Sequence, residues 1–143
     1  MKILALDLGD VWVGSAISDY LGITCKPLLT VPRAELESFL AKTLMQEEIS
    51  VVVVGYPKTV SAGTESAQTE KIVKEKEQLA TKFNTVHGRA ISWLLWDERL
   101  SSKRADELRK GTFKTKEDKR VSHSIAAAFI LQNYLDHKAF LRE

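Results

Sequence analysis

Four β-branched residues in a row, Val51 to Val54, constrain the fold of this chain more than any other stretch. A strand with valine on both faces must be covered on both, which places it inside a sheet between two layers. A second buried strand, Ile3 to Leu8, opens the chain, and Val11 to Ser18 reads as its hairpin partner across a turn at Gly9-Asp10. Ile23 to Val31 reads as a third strand, which Pro27 assigns to an edge or a bulge. We expect the Ile3 strand to be central, flanked by the strands near Val11 and Val51.

Helical patterns alternate with the later strands. Beyond Pro32, Leu36, Leu40 and Leu44 recur at helical spacing within Ala34 to Glu47, with Phe39 beside them. Gly55-Tyr56-Pro57 ends the valine strand, and a polar loop runs to about Gly63. Thr64 or Ser66 then caps a long helix whose stripe is Ile72, Val73, Leu79, Ala80 and Phe83. Ile91 to Asp97 is the last strand. Ser101-Ser102 opens a short helix to about Lys110, and a mobile basic loop follows to Lys119. Val121 to Leu135 is a final helix, apolar nearly all round and therefore buried. The order β-β-β-α-β-α-β-α-α describes an α/β fold, a mixed sheet flanked by helices, in a single domain over residues 1–143.

That length suits one domain with a core of its own. The single cysteine, Cys25, excludes an internal disulfide framework and a Cys-based zinc cluster, and it suits a reducing cytosol. The first apolar run is too short for a signal peptide, and no stretch approaches the ~20 apolar residues of a membrane span. A cytoplasmic protein is expected. Net charge is only +2, but its distribution is uneven. Between Arg99 and Arg120 nine Lys/Arg stand against four Asp/Glu, an excess of five that leaves −3 for the rest. Such a concentration is the footprint of a polyanion partner.

Asp7 is the anomaly. It continues the run Ile3-Leu4-Ala5-Leu6, where an unmatched carboxylate costs several kcal/mol. Two distant residues are candidates to share its site. Alternation along the last strand puts Leu94, Trp96 and Glu98 on one face and Trp93, Leu95 and Asp97 on the other, so Glu98 falls at the carboxyl end where open α/β sheets place their sites. His123 lies on the final helix, with Ala126 and Ala127 on the same helical face, small enough to let the helix lie close to the sheet.

Together, LDLGDVWVGSAISD, VVVVGYPKTVSAGT, DERLSS and SIAAAFILQNYLD resemble the YqgF (RuvX) family. Its members are RuvC-like proteins of the ribonuclease H superfamily, described as pre-16S ribosomal RNA nucleases or Holliday junction resolvases. The resemblance spans the first strand to about Asp136. It implies a ribonuclease H-like fold in which acidic residues hold divalent metal, Mg²⁺ or Mn²⁺, against a phosphodiester. Asp7 matches the first-strand aspartate and Glu98 the glutamate of the DER motif. The third acid normally precedes the small-residue pair of the last helix, and here that position is His123. Catalytic and metal-binding roles are thus expected of Asp7, Glu98 and His123.

The chemistry suits those residue types. Two cations about 3.5–4 Å apart polarise the phosphoryl group, activate water and stabilise the leaving oxygen, and hard cations prefer carboxylates. A histidine in place of a carboxylate lowers the site's negative charge and favours Mn²⁺ over Mg²⁺. Each residue also has a plainer reading. Asp7 would hydrogen-bond to backbone amides at a strand end, Glu98 would pair with Arg99, His123 would fill a core, and Asp10 is a turn residue. For substrate contact we expect Arg99, Lys58, Arg104, Lys114, Lys116, Lys119 and Arg120 to take phosphates, with Phe113 stacking on an unpaired base. The basic residues otherwise form a solvated surface.

The resemblance therefore implies a metal-dependent endonuclease that processes the 5′ end of pre-16S ribosomal RNA, with nucleic acid as partner and a monomer or homodimer as the working form. Holliday junction cleavage is the alternative and needs a symmetric dimer. A catalytically weakened RNA-binding protein is another, because of His123. The D-L-G of the first hairpin also resembles the phosphate loop of actin-like ATPases, but 143 residues cannot supply the two lobes those proteins close over a nucleotide.

Overall fold

Lys2–Leu8 (β1) is the middle strand of a five-stranded mixed sheet in the computed structural model, which describes residues 1–56, 67–97 and 119–142. The other strands are Trp12–Ser18 (β2), Cys25–Pro32 (β3), Ile49–Tyr56 (β4) and, after a separate small hairpin of Thr85–Val86 (β5) and Arg89–Ala90 (β6), Ser92–Asp97 (β7). The order is β3-β2-β1-β4-β7. β1, β2 and β3 pair antiparallel, whereas β1–β4 and β4–β7 pair parallel. Parallel neighbours need a crossover, and the helix Ala67–Lys82 (α2) lies between β4 and β7 in the chain. Leu36–Gln46 (α1) follows a 3₁₀ turn at Arg33–Glu35, and Lys119–Arg142 (α3) is the last helix.

The valine run behaves as its composition demands. Val52, Val53 and Val54 are fully buried, and β4 is flanked on both sides. Even-numbered residues Leu4, Leu6 and Leu8 of β1 join Val52 and Val54 in a core with Leu36, Leu40 and Leu44 of α1 and Ile72 and Leu79 of α2. Ile3 and Ala5 face the other way, against Ala127, Ala128, Ile130, Leu131 and Leu135 of α3. Period-two alternation puts Asp7 on that second face.

Pro27 sits both on an edge strand and at a bulge. Between Gly14, opposite Thr30, and Ala16, opposite Pro27, the register shifts. Ser15 mends the interrupted ladder: its hydroxyl donates to the Leu29 carbonyl at 2.7 Å and accepts from the Leu29 amide at 3.1 Å. β3 starts at Cys25 rather than Ile23 because Asp19 folds the preceding turn, accepting from the amides of Ile23 (2.8 Å) and Thr24 (3.3 Å).

Three expectations are corrected. The last helix runs well past Val121 to Leu135, because its apolar stretch marks the buried part while good helix formers extend both ends. Lys119, expected in a loop, is its first residue. The last strand begins at Ser92, not Ile91, after a β5–β6 hairpin that the pattern did not announce, turning through His87 and Gly88 at φ 49° and 75°. The loop over 57–63 and the short helix expected from Ser101 lie outside the described residues. Among the described residues no helix is long and apolar enough to cross a membrane.

Candidate active site

Asp7 is met by His123. Its Oδ2 lies 3.1 Å from His123 Nδ1, a contact between residues 116 apart in sequence. Two glycines make the approach possible. A Cβ on Gly14 of β2 would stand 2.1 Å from the His123 carbonyl oxygen and 2.6 Å from the Ser124 amide, so β2 and α3 touch backbone to backbone. A Cβ on Gly9 would stand 2.5 Å from the Trp12 carbonyl oxygen and 2.9 Å from His123 Cε1, so the loop after β1 is bare both for its own turn and for the ring. The Gly9 amide is shared between the carbonyls of Asp7 (3.2 Å) and Trp12 (3.1 Å), which fixes that loop. The close-packed alanines of α3 are Ala127 and Ala128, both fully buried. Ala126, expected in that pair, is partly exposed because the helix turns the next two residues to the sheet.

Burial pushes the Asp7 carboxyl above its ordinary range, and the hydrogen bond and charge of His123 pull it back only in part. The carboxylate thus retains a demand for positive charge. Asp7 and His123 keep 23% and 28% of their side-chain exposure, so both are in contact with solvent. His123 is therefore not a sealed core residue. Asp10 is the turn residue it was expected to be, exposed and 3.4 Å from Lys71 Nζ.

Among the described residues no three His, Cys, Asp or Glu side chains gather as a metal site. Asp7 and His123 supply two donors of suitable chemistry, a carboxylate and an imidazole. Glu98, Arg99, Lys58, Arg104, Lys114 and Lys116 lie outside the described residues, as does Phe113. Lys119 and Arg120 belong to the first turn of α3, and their side chains lie outside the description. The residues before Glu98 are informative. Leu6 is level with Val54 and Val54 with Leu95, which puts Trp96 two strands from Asp7 at the same level. Trp96 packs on the α3 side, edge-on to Tyr134 and His137 at 5.2 and 5.5 Å between ring centroids.

Gly9 and Gly14 were missed as site residues. The available signal was a glycine inside a strand paired with an alanine-rich helix, a mark of close backbone approach.

The fold is RuvC-like, a five-stranded mixed sheet flanked by helices. Thermus thermophilus RuvC superposes with a TM-score of 0.62 at 12% identity, over 98% of this chain and 96% of that one. The same protein in complex with a Holliday junction substrate gives 0.61 at 13%, with the same coverage. The family model described as "RuvX: Holliday junction resolvase" matches residues 1–137. Relatives in Carboxydothermus hydrogenoformans (35% identical, 97% of this chain and 99% of the relative) and Fusobacterium nucleatum (36%, 96% and 98%) carry the name "Putative pre-16S rRNA nuclease". The chain belongs to the RuvX family, and it is a nuclease.

Proposed function

We propose that this nuclease is a divalent-metal-dependent endonuclease of the cytoplasm that processes the 5′ end of pre-16S ribosomal RNA. The observation that carries the reading is Asp7, a strand-end carboxylate that burial leaves short of positive charge, in contact with His123 and open to solvent. The names of the relatives supply the substrate. Asp7, His123 and Glu98, the residue directly after β7, would hold the cation. A divalent cation there would supply charge to the phosphoryl and leaving oxygens. Asp7 provides the hard oxygen donor. His123 orients that carboxylate from α3 and lowers the negative charge of the set, which favours Mn²⁺ over Mg²⁺. Arg99, Lys58, Arg104, Lys114, Lys116, Lys119 and Arg120 hold the substrate by its phosphates.

The test is cleavage of a precursor RNA carrying the 16S 5′ leader, with Mn²⁺ or Mg²⁺. Asp7→Asn is expected to lose at least about 10²-fold in rate, the scale on which a charged group at a reaction centre acts. Cleavage by Asp7→Asn at the wild-type rate would reject the site. The family description favours a second reading, resolution of four-way DNA junctions. It requires a dimer with two sites, so junction cleavage together with a dimeric mass in sedimentation would establish it over the first. RNA binding without cleavage under either metal would leave the weakened RNA-binding protein.

A further inference from the structure

Arg33 ties the loop that carries the site to the opposite face of the sheet. It follows β3 directly, and its amide donates to the Val11 carbonyl at 3.0 Å. Its Nε donates to the Gly9 carbonyl at 3.1 Å. The rest of the guanidinium grips Glu75 of α2 with both terminal nitrogens, Nη2 to Oε1 at 2.6 Å and Nη1 to Oε2. Both side chains are half-buried. The planar fork of arginine is what permits three aligned donations from one side chain. Lys71 and Asp10, nearby, are far more exposed, and their contact of 3.4 Å adds little.

Gly9 makes this more than a surface ion pair. Its carbonyl is held by Arg33, while its bare Cα side is the seat of the His123 ring. Its amide meets the Asp7 carbonyl. Any shift of the loop is therefore felt by both site residues. We propose that Arg33, braced by Glu75, is a positioning residue for the active site: it clamps the Gly9 carbonyl so that the hairpin loop holds Asp7 and His123 in register. This rests on the reading of Asp7 as the site carboxylate.

Arg33→Gln and the charge swap Arg33→Glu with Glu75→Arg separate positioning from plain structural support. The swap restores an ion pair between the turn after β3 and α2, but a glutamate cannot donate to the Gly9 carbonyl. Both variants are expected to lose about tenfold in kcat on structured RNA with Mn²⁺, with KM within about twofold, since small misplacements act on the chemical step. The swap should melt near the wild-type temperature. In both, the NMR signal of the His123 ring should move while those of His87 and His137 stay. Arg33→Lys, which reaches Gly9 or Glu75 but not both, takes the same readouts if Arg33→Gln folds poorly, with an intermediate rate expected. Full kcat in the swap with an unmoved His123 signal would overturn the clamp. Wild-type turnover by Asp7→Asn, measured alongside, would instead overturn the site reading and the clamp with it.

Discussion

Asp7 is held in a state that suits it only when something positive is near. Burial raises its pKa and His123 offsets part of that rise, so the folded chain binds this proton more tightly than the unfolded chain does. The sign follows from linkage. Stability from this group is fully present below the ordinary carboxylate value of about 3.9 and is lost as pH rises through the raised folded value. Asparagine has no proton to lose. In metal-free thermal melts Asp7→Asn should therefore gain on the wild type as pH rises above about 4, through the raised folded value. Added Mn²⁺ should raise the wild-type melting temperature and leave the variant unmoved. A difference that is flat with pH would show that burial does not dominate at Asp7. At His123, Asp should shift cleavage from Mn²⁺ towards Mg²⁺ by adding a hard ligand, while Ala should leave a weak enzyme. An unchanged metal preference in His123→Asp would remove the histidine from the ligand set.

Between elements, the decisive contact is β2 against α3 at Gly14. A Cβ there would meet the carbonyl oxygen and carbon of His123 at 2.1 and 2.2 Å, and backbone atoms cannot rotate aside as a side chain does. Gly14→Ala must push α3 away as a body, which carries His123 from Asp7. We expect a loss of about 3 kcal/mol in denaturant melts, the upper part of the range for overpacking, and cleavage reduced along with it. Wild-type stability would mean that the helix gives way more easily than its contacts suggest. This contact also marks how far the sequence could be read. The centre of the sheet was legible because Val51 to Val54 demand cover on both faces and Pro27 demands an edge or a bulge, and both are strictly local signals. The two faces of the last strand were legible by alternation, with Trp93 and Leu95 in one core and Trp96 in the other. Gly14 was not, since a glycine in a strand signals close approach without naming what approaches. Arg33 and Glu75, 42 residues apart, were not legible either, because charged residues are common and nothing local assigns their partners. The His87-Gly88 turn was missed for a different reason: its flanking strands are two residues each, too short for a period to show.

Across the whole molecule the two faces of the sheet do different work. One is closed by α1 and α2 over an apolar core, and the other carries Asp7 beneath the start of α3. The chain from Arg99 to Arg120 begins directly after Glu98 and ends three residues before His123. Its excess of five positive charges stands against a remainder of −3. On the proposed function, these charges would draw an anionic strand to the molecule. Neutralising Lys114, Lys116 and Lys119 together should weaken RNA binding to a similar degree across sequences, because phosphate contacts act through counterion release and read no bases. At about 0.7 per phosphate contact on single strands, three lost contacts should flatten the slope of log affinity against log salt by about 2. The fold should not suffer. Lys119 stands at the N-terminus of α3, where a cation opposes the helix dipole, so its loss there is neutral or slightly favourable. Binding measured from about 50 to 200 mM salt decides the matter. A triple variant with the wild-type slope would return this segment to plain solvated surface and leave substrate capture to residues elsewhere.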